Sequence, residues 1–156
     1  MPKEIERKFL IKNDDWRITA DSGVEMVQGY LQSGKESSIR VRLTGDTAWL
    51  NIKSATLGIS RSEYEYTIPL EDAKEILSGL CGESIVGKTR YHVDVGNHTW
   101  EVDVFADDNA GLVVAEIELS AEDEAFEVPA WAGEEVSLDT RYYNVCLAKH
   151  PYKTWS

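Results

Sequence analysis

A chain of 156 residues with 28 acids against 16 bases carries a formal net charge of −12. It is about one domain in length, spanning residues 1–156, and large enough to bury a core without staples. It is too acidic for the broad basic surface that non-specific nucleic-acid binding requires. The two cysteines, Cys81 and Cys146, show no CxxC spacing and His92, His98 and His150 form no ligand pattern, which disfavours a disulfide scaffold or a zinc site. With no apolar run near the ~18 residues of a membrane span and no apolar leader, the expectation is a soluble cytoplasmic protein without nucleic-acid or membrane partners.

In chain order, eight strand-like stretches are predicted from period-two alternation: 3–11, Val24 to Leu31, Ser38 to Leu43, Thr47 to Lys53, Ser62 to Ile68, Val86 to Val93, Thr99 to Phe105 and Leu112 to Leu119. Ser33-Gly34, Gly45-Asp46, Gly96-Asn97 and Asp107 to Gly111 supply turn chemistry between them. A helix is predicted over Pro69 to Leu80, with Pro in the first turn, acids at Glu71 and Asp72, and apolar residues at helical spacing. A second is predicted from Thr140 to His150, capped by Asp139 and stopped by Pro151. The fold class is therefore mainly β with flanking helices.

Alternation divides each strand into two faces. In the opening strand Glu4, Glu6 and Lys8 share a face while Ile5, Arg7 and Phe9 take the other. Carboxylates are hard ligands for Mg²⁺ or Mn²⁺, and an ammonium beside them suits a phosphate. The pattern recurs: Arg40 with Arg42, Lys53 opposite Leu50 and Ile52, Glu63 with Glu65, Lys88 with Arg90, Asp103 with Glu101, and Glu116 with Glu118. Like charges side by side repel, so pairs of Arg, then Glu, then Lys and Arg call for opposite charge between them. Eight antiparallel strands can close into a barrel. Inward charged faces would then line a wet tunnel, leaving the apolar faces outside for helices to cover. The reverse arrangement, an apolar centre under a charged skin, is the alternative. Phe9, Trp49, Trp100, Tyr64 and Tyr66 are expected to face away from the tunnel as packing groups.

The ordered series Glu4-x-Glu6-x-Lys8, Ile39-Arg40-Val41-Arg42, Ile52-Lys53, Glu63-Tyr64-Glu65, Lys88-Thr89-Arg90, Asp103 and Glu116-Ile117-Glu118 resembles the CYTH superfamily, or triphosphate tunnel metalloenzymes. Phe126-Glu127-x-Pro129-x-Trp131-x-Gly133-x-Glu135-Val136 and Asn144-x-x-Leu147-Ala148 are similar to its C-terminal pattern. The resemblance implies a closed eight-stranded antiparallel barrel in which bases grip a linear triphosphate and acids bind a divalent metal. By that resemblance Lys8, Arg40, Arg42, Lys53, Lys88 and Arg90 bind substrate, and Glu4, Glu6, Glu63, Glu65, Asp103, Glu116 and Glu118 are metal ligands.

Small bacterial members of the family that hydrolyse inorganic tripolyphosphate are of similar length. Class IV adenylyl cyclase, thiamine triphosphatase and, more distantly, a non-catalytic polyphosphate-binding module are the alternatives. Tyr30, with Gln28 and Met26 on one face, is expected to work with Lys53 in deprotonating the attacking water. The segment from Arg141 to Leu147 is expected to pack its apolar side on the barrel and, in addition, to shield one tunnel mouth. A monomer or homodimer is expected.

Overall fold

The computed structural model describes residues 3–55 and 58–155. Among the described residues nine strands form one sheet: β1 (Lys3–Ile11), β2 (Val24–Ser33), β3 (Ser37–Thr44), β4 (Thr47–Ser54), β5 (Ser60–Ile68), β6 (Ile85–Val95), β7 (His98–Phe105), β8 (Val113–Leu119) and β9 (Ala132–Glu135). Their order is β5-β4-β3-β2-β6-β7-β8-β1-β9, all antiparallel where paired, with an additional β5–β1 pairing that closes the first eight into a barrel. Closure is short: Lys3, Glu4 and Ile5 pair with Ser62, Arg61 and Ser60. Beyond this β1 leaves β5, and β9 takes the vacated edge, pairing at Phe9↔Glu135 and Ile11↔Ala132 around a bulge. A four-residue strand carries too little alternation to be read from sequence, and β9 is absent from the expected elements.

Directly opposed residues in an antiparallel pair share a face, so the register fixes what points inward. Glu6 opposes Glu118 and Lys8 opposes Glu116; Arg40 opposes Asn51, Lys53 opposes Glu63, and Arg90 opposes Asp103. The charged faces are therefore inside. The same register corrects one expectation: Trp49 opposes Arg42 and so lies on the inner face, in step with Asn51 and Lys53.

Nor is the interior charged throughout. Leu10, Val86, Phe105 and Val114 also point inward and pack with Leu112, Val136, Tyr142 and Leu147, so an apolar plug fills the barrel between β6, β7, β8 and β1. Outer faces are covered on two sides. Helix α1 (Leu70–Gly79) seats Ala73, Ile76 and Leu77 on Val41, Ala48 and Leu50. A 3₁₀ turn at Asp15–Ile18 brings Trp16 to the outer face of β6–β8, where Phe126 and Trp131 from the segment after β8 complete the cover. Trp100 lies at the centre of this cluster, with Phe9, Phe126 and Trp131 ring centroids 5.3, 5.9 and 5.5 Å away.

The predicted helix over Thr140 to His150 is two pieces. A 3₁₀ turn at Thr140–Tyr142, capped as expected by the Asp139 side chain on the Arg141 N–H, is followed by extended backbone at Tyr143 and then α2 (Asn144–Lys149). The break is anchored by the Tyr143 hydroxyl, which donates to the Ser137 carbonyl at 2.9 Å. It lets Tyr142 and Leu147 join the plug while Tyr143 and Asn144 reach the barrel interior.

Candidate functional site

A cavity of ≈ 290 Å³ occupies the charged part of the barrel. Six bases (Lys8, Arg40, Arg42, Lys53, Arg61, Arg90) and seven acids (Glu4, Glu6, Glu63, Glu65, Glu101, Glu116, Glu118) line it, with Tyr30, Ser38, Asn51, Tyr143, Asn144 and Val145. Each strand of the barrel except β2 contributes at least one charged side chain, because residues i and i+2 share the inner face.

Most of these charges neutralise one another. Lys53 Nζ lies 2.7 Å from Glu4 and 3.7 Å from Glu63, Arg61 is 3.3 Å from Glu6, and Lys8 is 3.5 Å from Glu116. Arg90 reaches Glu101 at 2.9 Å and Glu116 at 3.8 Å. Among the described residues Arg40 and Arg42 form no ion pair. Arg40 is 5% exposed and its buried Nε has no hydrogen-bond partner. Arg42 donates only to the neutral Gln28 Oε1, at 3.1 and 3.2 Å. Burial, and then the charges of Arg40 and Arg90, press the Arg42 guanidinium down to about 10. A buried and a half-buried guanidinium held side by side without a carboxylate are costly. An anion between them relieves both the repulsion and the unsatisfied donors.

The acids show the converse strain. Burial, and then Glu4, Glu101, Glu6 and Glu63, raise the Glu118 carboxyl; burial, and then Glu116, Asp103 and Glu6, raise Glu101 against the lowering effect of Arg90. Glu65 and Glu118 form no ion pair among the described residues, and both lie on the exposed part of the lining. Such an all-oxygen, all-carboxylate set is the donor chemistry of a hard divalent cation, which would remove the repulsion that raises Glu118. Among the described residues no three acidic groups are already gathered as a cation-binding group; bases hold Glu4, Glu6, Glu63 and Glu116.

Of the predicted site residues, Lys8, Tyr30, Arg40, Arg42, Lys53, Arg90, Glu4, Glu6, Glu63, Glu65, Glu116 and Glu118 meet in this cavity. Lys88 and Asp103 do not line it. Their side chains are fully buried against each other at 2.8 Å, with Arg90 on both oxygens of Asp103 at 2.7 and 2.9 Å. The paired cations hold the Asp103 carboxyl well below its usual range, and burial lowers the Lys88 ammonium. Asp103 thus orients Arg90 from beneath the cavity wall, with neither oxygen free for a metal, and Lys88 donates its second bond to Asn144 Oδ1 at 3.1 Å.

Tyr30 and Lys53 both line the cavity, but their contacts run elsewhere: Gln28 Nε2 donates to the Tyr30 hydroxyl at 3.2 Å, while Lys53 forms an ion pair with Glu4. Sequence reasoning left out Arg61, Asn51, Glu101, Tyr143 and Asn144. Arg61 precedes the predicted start of its strand but is in step with Glu63 and Glu65. Glu101 shares a face with Asp103, so alternation alone identifies both. Asn51, which donates to Glu63 and Glu65 at 3.0 and 3.3 Å, is likewise in step with Lys53.

A family model for the CYTH domain matches residues 2–144. An inorganic triphosphatase of Acetivibrio thermocellus is 46% identical over 155 residues, covering 99% of both chains. One from Nitrosomonas europaea is 38% identical over 150 residues, covering 93% of this chain and 96% of its own. A crystal structure of an inorganic triphosphatase superposes with a TM-score of 0.68 at 34% identity, covering 95% of each chain. An eight-stranded barrel lined by alternating bases and acids, matched by a family model over nearly the whole chain, assigns this protein to the CYTH domain family.

Proposed function

We propose that residues 1–156 form one catalytic domain that hydrolyses a linear triphosphate, inorganic tripolyphosphate in the first place, to pyrophosphate and phosphate with the help of Mg²⁺ or Mn²⁺. The observation that carries this reading is the pair Arg40, buried, and Arg42, half-buried, which among the described residues have no carboxylate partner in a cavity whose other bases are neutralised. They call for a compact polyanion. The relatives named inorganic triphosphatase at 46% and 38% identity support that polyanion's identity.

In this reading Arg40, Arg42 and Arg90 take phosphate oxygens through planar, multidentate contacts, while Lys8, Lys53 and Arg61 supply further charge along the chain of phosphates. Lys88 acts from beneath the wall. Binding exchanges the base–acid pairs of the cavity for base–phosphate pairs, which frees Glu4, Glu6, Glu63 and Glu116 to join Glu65 and Glu118 in holding the metal. The metal, when bound, neutralises phosphate charge and polarises water.

A water molecule attacks the terminal phosphorus, the bridging P–O bond breaks, and pyrophosphate departs with that oxygen. Neutralisation and positioning supply most of the rate enhancement. Lys53 and Tyr30 orient the attacking water and assist the transfer of its proton to a phosphate oxygen.

All these groups come from one chain, so a monomer suffices for the reaction, and a monomer or homodimer is the state proposed. A cytoplasmic location fits the free thiols Cys81 and Cys146; no helix among the described residues is long and apolar enough to cross a membrane. The deciding experiment measures phosphate release from tripolyphosphate, ATP and thiamine triphosphate, with and without Mg²⁺. Preferred turnover of tripolyphosphate supports the reading. Preferred turnover of an organic triphosphate, or tight binding without turnover, refutes it in favour of thiamine triphosphatase, a cyclase or a binding module.

A further inference from the structure

Tyr143 lines two cavities. Beside the charged one lies a second of ≈ 260 Å³, bounded by the β2–β3 turn at Ser33 and Gly34, the end of β4 at Ser54 and Ala55, and Thr140, Cys146 and Lys149. Arg61, Tyr143, Val145 and Ser38 line both. Where the first is walled mostly by charged and polar groups, the second has Arg61 and Lys149 as its charged groups among small and apolar surfaces.

The Tyr143 ring is held on several sides. Its hydroxyl donates to the Ser137 carbonyl at 2.9 Å, and the same Ser137 accepts the Lys8 N–H through its hydroxyl at 3.0 Å. The Lys8 ammonium and the Arg61 guanidinium lie 5.4 and 5.1 Å from the ring centroid, within cation–π range. A ring tied at its hydroxyl end and flanked by two cations does not swing aside without breaking contacts on β1 and β5.

We propose that Tyr143 is a specificity-determining residue that keeps organic triphosphates out by separating the two cavities. The inference rests on the triphosphatase reading above. Tripolyphosphate has free ends and needs only the charged cavity. A nucleoside triphosphate carries an uncharged ring system beyond its phosphates, and the adjoining space of suitable chemistry is the second cavity. With the tyrosine ring in place that space is cut off; without it the two cavities join.

The test compares wild type with Tyr143→Phe and Tyr143→Ala, using kcat/KM with Mg²⁺ on tripolyphosphate and ATP, and calorimetric Kd for the same two compounds in chelator. Loss of the cation–π contacts weakens every triphosphate and cancels in the ATP-to-tripolyphosphate ratio. Tyr143→Ala should raise that ratio at least about tenfold, the scale on which pocket shape discriminates substrates. Tyr143→Phe, which keeps the wall and loses only the hydroxyl, should leave it within about twofold. An unchanged ratio in the alanine variant, or an equal rise in both variants, overturns the proposal. If the alanine chain does not fold, Tyr143→Val, suited to extended backbone, replaces it. A wild-type protein that releases no phosphate from tripolyphosphate refutes the triphosphatase reading alone, and the Kd ratio still decides the role of Tyr143.

Discussion

Replacing Arg40 by Leu separates a charge kept for substrate from one kept for the fold. Arg40 is 5% exposed, forms no ion pair among the described residues and leaves its Nε unsatisfied, so it contributes little attractive energy to the free protein and repels Arg42. An apolar side chain, though shorter, removes an unpaired buried charge and should leave thermal stability in chelator unchanged or raise it. Catalysis should fall instead. One charge-assisted contact to phosphate is worth about 1.5–3 kcal/mol, which is roughly one to two decades in kcat/KM.

Arg7→Ala should show the reverse. Arg7 points outward, as alternation requires, and its guanidinium donates through two nitrogens to Glu135 on β9 while lying 4.9 Å from the Phe126 ring. With side chains 31% and 34% exposed, such a pair contributes about 0.2–1 kcal/mol, so Tm should drop while kcat/KM changes by less than about threefold. Phosphate-release kinetics and thermal melts on the two variants provide the comparison. Equal kcat/KM losses in two folded variants, or a larger Tm loss in Arg40→Leu than in Arg7→Ala, would refute the assignment of the inner face.

Excess chelator should abolish turnover and Mg²⁺ or Mn²⁺ restore it; full activity in chelator would remove the acids from metal binding. Because Glu118 is raised by burial and then by neighbouring acids, its ionised form is disfavoured in the fold at neutral pH. Glu118→Gln should therefore raise the Tm of the metal-free protein at pH 7 and diminish the Tm gain on adding Mg²⁺, both readable by calorimetry. Leu147 is fully buried in the plug, so Leu147→Ala should cost about 2–5 kcal/mol in a denaturant titration. Deleting 140–156 would expose that plug and should unfold the chain rather than open a mouth in an intact barrel. Glu124 is held down to about 2, chiefly by the Ser120 hydroxyl and then by His98 and the Ser120 N–H. Its stabilisation is present above the ordinary carboxylate value of 4.5 and lost as pH falls toward 2; Glu124→Gln should flatten the acid limb of Tm against pH across that window.

Period-two alternation is a local property, and it made the eight barrel strands and their charged faces legible: once one residue of a strand is known to point inward, its neighbours two positions away must do so too. That determined the inward grouping of Glu4 with Glu6 and Lys8, and of Arg40 with Arg42, and the repeated like-charge pairs pointed to a ligand. Which acid meets which base depends on register between strands far apart in sequence. Only the folded barrel could place Lys53 on Glu4 and leave Arg40 and Arg42 without carboxylates. Burial depth is equally non-local: Lys88 and Asp103 obey the same alternation as Arg90 and Glu101, yet β6 and β7 set them beside the apolar plug, where they lock each other below the cavity wall. Trp49, Asn51 and Lys53 share a face by the same alternation, so the inward position of Trp49 could be read from spacing alone. Tyr143 could not, because its extended backbone inside a helical pattern is fixed by a bond to Ser137 and by cations from β1 and β5; the sequence around it carries only the helical preference that those contacts override.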